Sequence, residues 1–171
     1  DYDLTRPGQA ERLITDTAPH HVIHLAARVG GIGYNQVAPA PLYLDNLLMG
    51  TYMIEAARAS STVEKTTLVG TVCSSPTFTP VPFMAQTLWD GYPEETNAPY
   101  GLAKKKLLVQ GQSYRQQYDF HRSHHLHVDL YRPHVHSMPA AHHVIPTMLK
   151  KTAHRSKPPT PTPPDASTDS P

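Results

Sequence analysis

The chain has 171 residues, enough for one domain with a sizeable core, and a net charge of +1 with histidine neutral. That near-neutral balance gives no electrostatic drive toward nucleic acid or an anionic membrane. A single cysteine, Cys73, excludes an intrachain disulfide. No apolar run approaches the ~20 residues that span a bilayer, and no basic-then-apolar leader opens the chain, so a cytoplasmic protein is expected.

The first element expected is a buried strand over His21 to Ala27, HVIHLAA, a short apolar run rich in β-formers. A glycine-rich loop, VGGIGYN, follows from Val29 to Asn35. Pro39 and Pro41 precede a helix over Leu42 to Ala59, on which Leu44, Leu47, Leu48, Thr51 and Ile54 recur at helical spacing. A second strand lies within Val63 to Gly70, and a Ser/Thr/Pro-rich loop, TVCSSPTFTPVPF, succeeds it. Pro99 suits the first turn of a helix over Tyr100 to Tyr118, interrupted only by Gly101 and Gly111. A third strand is read around His121 to Leu130 and a last helix over Val144 to Ala153. From 156 to 171 the Pro/Thr/Ser-rich composition cannot bury a core and reads as a disordered tail, which leaves 1–155 as the domain.

Strands alternating with helices imply an α/β fold with a mainly parallel sheet. Ligands of such sheets bind beyond the carboxyl ends of the strands, where both conspicuous loops lie.

The strongest chemical signal is Tyr100-x-x-x-Lys104, which puts both residues on one helix face. An ammonium near a phenol lowers its pKa, and a tyrosine so tuned can pass a proton to a carbonyl oxygen while hydride arrives at carbon. Thr71, at the end of a strand, is placed to donate a second hydrogen bond to that oxygen. The plainer alternative is an interfacial tyrosine beside a solvated lysine run, Lys104 to Lys106. For Cys73 the plain alternative is a small buried hydrophobe.

Around these residues the chain resembles the GDP-L-fucose synthase family of the extended short-chain dehydrogenase/reductase superfamily. The likeness is carried by HLAARVGGI (His24 to Ile32), MG at Met49 and Gly50, and VGTVCSSP (Val69 to Pro76). It continues through TPVPF (Thr79 to Phe83), GYPEETNAPYGLAKKKLLVQ (Gly91 to Gln110) and HVIPTMLKK (His143 to Lys151). The resemblance implies a partial Rossmann-like domain acting as an NADP(H)-dependent epimerase and reductase of a GDP-4-keto-6-deoxy-hexose, forming GDP-L-fucose. By motif, Thr71, Tyr100 and Lys104 serve reduction, while Cys73 and His143 exchange the protons at C3 and C5. Asp3, Leu4, Ala26, Ala27, Arg28 and Asn46 join Tyr100 and Lys104 along the cofactor. Asp129, Val144 and Lys151 face the nucleotide-sugar. No metal ligands are assigned, since the histidine-rich stretch has no HExxH or Cys-His spacing. The family's dimerisation implies a homodimer through helices 42–59 and 100–118.

The pattern also breaks. No G-x-x-G-x-x-G or G-x-G-x-x-G occurs, so the first glycine-rich strand-loop-helix unit is expected to precede Asp1, leaving the His21 strand with an unpaired edge. Asp119 stands for a turn glycine, Asp129 for an asparagine, Arg132 for a glycine, and Lys151 for an arginine. The tail stands where the smaller C-terminal substrate lobe is expected. The sequence leaves open both a catalytic chain and an incomplete copy inactive alone. The alternatives are a non-catalytic remnant or dimerising module, or a 4,6-dehydratase or 4-epimerase acting on another nucleotide sugar.

Overall fold

The structure, a computed structural model, describes residues 1–127. The expected strand residues beyond 127, the last helix, the tail, and Asp129, Arg132, His143, Val144 and Lys151 lie outside the described residues.

Helix α1 (Gln9–Thr17) leads into β1 (His21–His24), then the short α2 (Ile32–Val37) and the long α3 (Pro39–Ala59). Strand β2 (Lys65–Thr71) runs into a 3-10 turn at Val72–Ser74, and a second 3-10 turn covers Ala85–Trp89. Helix α4 (Ala98–Tyr118) and strand β3 (Arg122–His127) complete the order. The three strands form one parallel sheet, β1-β2-β3. The α/β, Rossmann-like expectation is therefore met, with α3 and α4 as the crossovers that parallel pairing requires.

The helices start and stop for local reasons. Pro39 and Pro99 sit in the first turns of α3 and α4, where a missing N–H costs nothing. Helix α4 ends at Asp119 in the left-handed region, φ 52°, whose N–H caps the Arg115 carbonyl. Aspartate tolerates that conformation better than most side chains, which is how it stands at a glycine's place.

The core lies where α3 and α4 meet β2. Ile54, Ala57, Leu68, Leu107 and Phe120 form one cluster, and α1 adds Ala10 and Ile14 against Met53 and Ala56. Gly50 lets the two long helices close: a Cβ there would sit 2.4 Å from Leu107 Cδ1.

Four readings are corrected. Residues Gln9–Thr17, given no element above, form an amphipathic helix that buries Ala10 and Ile14. The second half of the glycine-rich loop winds into α2. The buried face of α3 is Leu42, Asn46, Gly50, Met53, Ile54 and Ala57, whereas Leu44 is exposed and Leu47 and Leu48 half-buried. The lysine run is not a solvated face, because Lys104 and Lys105 are buried.

Among the described residues the outer edge of β1 pairs with no strand, as expected, and Ile23 and Leu25 are 65% and 67% exposed. A groove of about 260 Å³ beside it is lined by Leu4, Leu13, Val22, Leu25, Ala26 and Met53, among others. No helix of the described residues is long and apolar enough to cross a membrane.

Candidate active site

The carboxyl ends of β1 and β2 receive the first turns of α4. Thr71 is the last residue of β2, and its hydroxyl oxygen accepts the Cys73 N–H at 3.2 Å, starting the 3-10 turn. The Thr71 proton stays free to point at a ligand oxygen. The next residue, Ser74, is buried and donates its hydroxyl to the Gly101 carbonyl at 2.7 Å. Gly101 permits that approach: a Cβ would lie 2.1 Å from the Cys73 carbonyl oxygen. Cys73 and Tyr100 are thereby held in adjacent turns. The Ser74–Gly101 tie escaped the sequence reading, although a glycine directly after the tyrosine was its signal.

Tyr100 is half-buried, and its phenol is pushed up to about 12 by burial, with the charge of a Cys73 thiolate adding to it. The expected lowering by Lys104 is not found. The Lys104 amine is directed elsewhere: Nζ donates to the Ala26 carbonyl at 3.1 Å. Lys104 is 2% exposed, and burial lowers its pKa to about 8. Tyr100 in this state is a neutral proton donor rather than a pre-formed phenolate.

Beneath them, the register His24↔Leu68↔His124 runs across all three strands. His24 is 3% exposed with Nε2 unpartnered, and His124 has a buried, unpartnered Nδ1. Burial first, and the Lys104 charge after it, bring His24 to about 4; burial, Arg122, His125 and Lys104 do the same to His124. Both imidazoles are neutral, so the ammonium of Lys104 is the one charge among the three.

The loop after β1 is fixed from α3. Asn46, 1% exposed, accepts the Arg28 N–H at 3.0 Å and donates to the Arg28 carbonyl at 2.9 Å and the Leu42 carbonyl at 2.6 Å. The Arg28 side chain pairs with Asp45 at 2.9 Å. Lys104 and Asn46 thus hold Ala26 and Arg28 on either side of Ala27. Asn35 of α2 donates its amide N–H to Asn97 Oδ1 at 3.0 Å, just before α4.

Asp3 accepts from the Thr5 N–H and hydroxyl at 3.0 and 2.6 Å, so its carboxylate caps its own turn, and those bonds lower its pKa. Leu4 packs against the α1/α3 cluster and shares the β1 groove with Ala26. The structure therefore brings Thr71, Cys73, Tyr100 and Lys104 to one end of the sheet, with Ala26, Arg28 and Asn46 tied to them. Asp3 is engaged locally.

Comparison with known proteins bears on the family and the fold. The chain is similar to a GDP-L-fucose synthase of Sinorhizobium fredii, 35% identical over 155 residues, covering 91% of this chain and 49% of the relative. It is 32% identical over 151 residues to a probable GDP-L-fucose synthase 1 of Oryza sativa, covering 88% of this chain and 46% of that one. A solved GDP-L-fucose synthetase from Naegleria fowleri bound to NADP shares the fold, with TM-score 0.77 and 24% identity over 90% of this chain and 47% of that chain. The chain spans about half the length of the curated relatives it matches. The model of the NAD dependent epimerase/dehydratase family matches residues 1–165, and the chain belongs to that family.

Proposed function

We propose that this chain carries the proton-transfer machinery of an NADP(H)-dependent epimerase/reductase that converts a GDP-4-keto-6-deoxy-hexose to GDP-L-fucose. The convergence of Thr71, Cys73, Tyr100 and Lys104 at the carboxyl ends of β1 and β2 supports this reading.

The nicotinamide end of the cofactor fits these residues. Lys104 spends one of its three N–H groups on Ala26, which leaves donors for ribose hydroxyls. The loop through Ala26, Ala27 and Arg28 is held rigid by Asn46. The adenine end fits less directly, since the Asp3 carboxylate is taken by Thr5. When bound, the cofactor supplies hydride. Tyr100 donates its proton to the ketone oxygen, and Thr71 donates a hydrogen bond to the same atom. The same two donors stabilise the enolate through which protons at C3 and C5 exchange. Cys73 is one exchanging group, and His143 is assigned as the other. Asp129, Val144 and Lys151 are assigned to the nucleotide-sugar. The domain is taken as residues 1–155 of a cytoplasmic protein.

A titration of the whole chain with NADPH, read by nicotinamide fluorescence, tests the cofactor assignment. Saturable binding lost in Lys104→Met supports it. The GDP-linked 4-keto-6-deoxy sugar in deuterated water then tests chemistry: deuterium enters C3 and C5 with Cys73 present and is lost in Cys73→Ser, and NADPH oxidation is lost in Tyr100→Phe. A folded chain that binds no NADPH overturns the reading.

A second reading is a non-catalytic homodimerising module built on α3 and α4. The observation that favours it is the exposure of Tyr43, Leu44, Val109 and Tyr118 on those helices. A dimer in light scattering, with no NADPH binding, is its outcome.

A further inference from the structure

The opposite end of the sheet holds a second concentration of charge. Strands β1, β2 and β3 begin at His21, Lys65 and Arg122, and being parallel they begin side by side. A cavity of about 370 Å³ lies there, lined by His21, Glu64, Lys65, Arg115, His121 and Arg122. Because the site residues described above follow the strands and these residues precede or open them, the cavity is separate from that site.

Its charges are unbalanced. Glu64, the one carboxylate of the lining, is directed at histidines, with His20 Nδ1 at 3.1 Å and His21 Nε2 at 3.9 Å. Among the described residues Lys65, Arg115 and Arg122 have no carboxylate within ion-pair distance. Arg122 is held rather than loose. Its stem crosses the bare face of Gly111, where a Cβ would lie 2.5 Å from Arg122 Cδ and 2.9 Å from Nε. Arg122 Nε is buried without a partner. Burial first, and the neighbouring Arg115 charge after it, lower the Arg122 pKa.

We propose that this cavity is a binding site for a small phosphate-bearing anion, clamped by Arg115 and Arg122 with Lys65 contributing charge. Planar guanidinium groups take tetrahedral phosphate oxygens in pairs, and His21 and His121 add ring nitrogens for further hydrogen bonds. The volume lies at the lower end of small-molecule sites, which suits a diphosphate or a sugar phosphate. An occupant there would relieve the repulsion between the two arginines.

Calorimetric titration of the full chain with inorganic pyrophosphate is the test. One saturable site is expected. Arg115→Gln and Arg122→Gln should each weaken it at least about tenfold, since each removes a charge-assisted pair. Gly111→Ala should weaken it without removing a charge, by displacing the Arg122 stem. Arg28→Gln, at the other end of the sheet, should leave it unchanged. Glucose 1-phosphate and ADP, titrated in parallel, distinguish a sugar phosphate from a nucleoside diphosphate as the preferred occupant. Absence of saturable binding overturns the proposal, as does binding indifferent to Arg115→Gln or equally weakened by Arg28→Gln. Arg115 is exposed, so its substitution keeps the test decisive even where Arg122→Gln does not fold.

Discussion

Asn46 holds both backbone groups of Arg28, accepting its N–H at 3.0 Å and donating to its carbonyl at 2.9 Å. This one buried amide on α3 substitutes for the strand ladder that ends at His24, and gives the loop after β1 a fixed shape. Asn46→Ala leaves Arg28 and Leu42 groups without their partner, at a cost of about 2–4 kcal/mol. Asn46→Asp keeps the acceptor and loses both donations. Urea unfolding is expected to rank wild type above both variants, since the aspartate sets a buried acceptor against the Arg28 and Leu42 carbonyls. Equal stability of all three would show the clamp to be idle.

Gly101 sets the distance between the Cys73 and Tyr100 turns. A Cβ 2.1 Å from a backbone oxygen cannot be accommodated by a side-chain rotation. Gly101→Ala should therefore destabilise by about 1–3 kcal/mol and weaken NADPH binding together. Thermal melts beside the fluorescence titration check both effects. A variant with an unchanged melt and unchanged binding would mean that the turns are free to part.

Much of this was open to sequence reading, and the reasons are local. TTLVG announces a strand that buries Leu68, whereas HVIHLAA, read as a buried strand to Ala27, forms only the mostly exposed edge strand His21–His24; Pro99 announces the helix that carries Tyr100 and Lys104. The buried face of α3 was not legible, because its centre is a polar Asn46 and a glycine, while apolar Leu44 faces out. Burial of the lysines was hidden for a similar reason. Hydropathy treats an amine as solvent-seeking, yet Lys104 finds the Ala26 carbonyl, and Lys105 donates to the Leu88 carbonyl and sits 4.4 Å over the Trp89 ring. The state of Tyr100 depends on where the Lys104 amine turns, and spacing along a helix does not fix that.

Lys104 is expected to weaken the fold at neutral pH. Its pKa is 10.5 when solvated and about 8 here, so between those values the unfolded chain holds more protons and stability rises with pH. Below about 8 the full burden of a buried ammonium is present. Lys104→Met removes it, at the loss of one hydrogen bond, for a net gain of about 1–2 kcal/mol at neutral pH. The gain should shrink as pH rises through the window, while NADPH binding is abolished. Denaturant midpoints across that pH range decide it, and a Met variant less stable throughout would contradict the assignment.

His24 works on the acid side. Its pKa falls from 6.5 to about 4 on folding, so the unfolded chain takes up the proton first. Stability attributable to neutral His24 is present above 6.5 and is lost as pH falls toward 4, by about 3 kcal/mol over the window. His124 adds a loss of the same sign. His24→Leu should flatten the acid limb of the stability curve, as measured by chemical denaturation. An unchanged slope would place the acid sensitivity elsewhere.

The parallel sheet has a kinetic consequence. Every ladder bond joins segments separated by a whole crossover, and no hairpin is available as a local nucleus among the described strands. Loop-closure entropy must be met before any pairing is rewarded. The earliest stable structure is therefore expected at the contact of α3 with α4 through Gly50 and Leu107, with Leu68 docking on it. The apolar edge at Ile23 and Leu25 stays open to other chains even after the strands register, so refolding yield should fall as protein concentration rises.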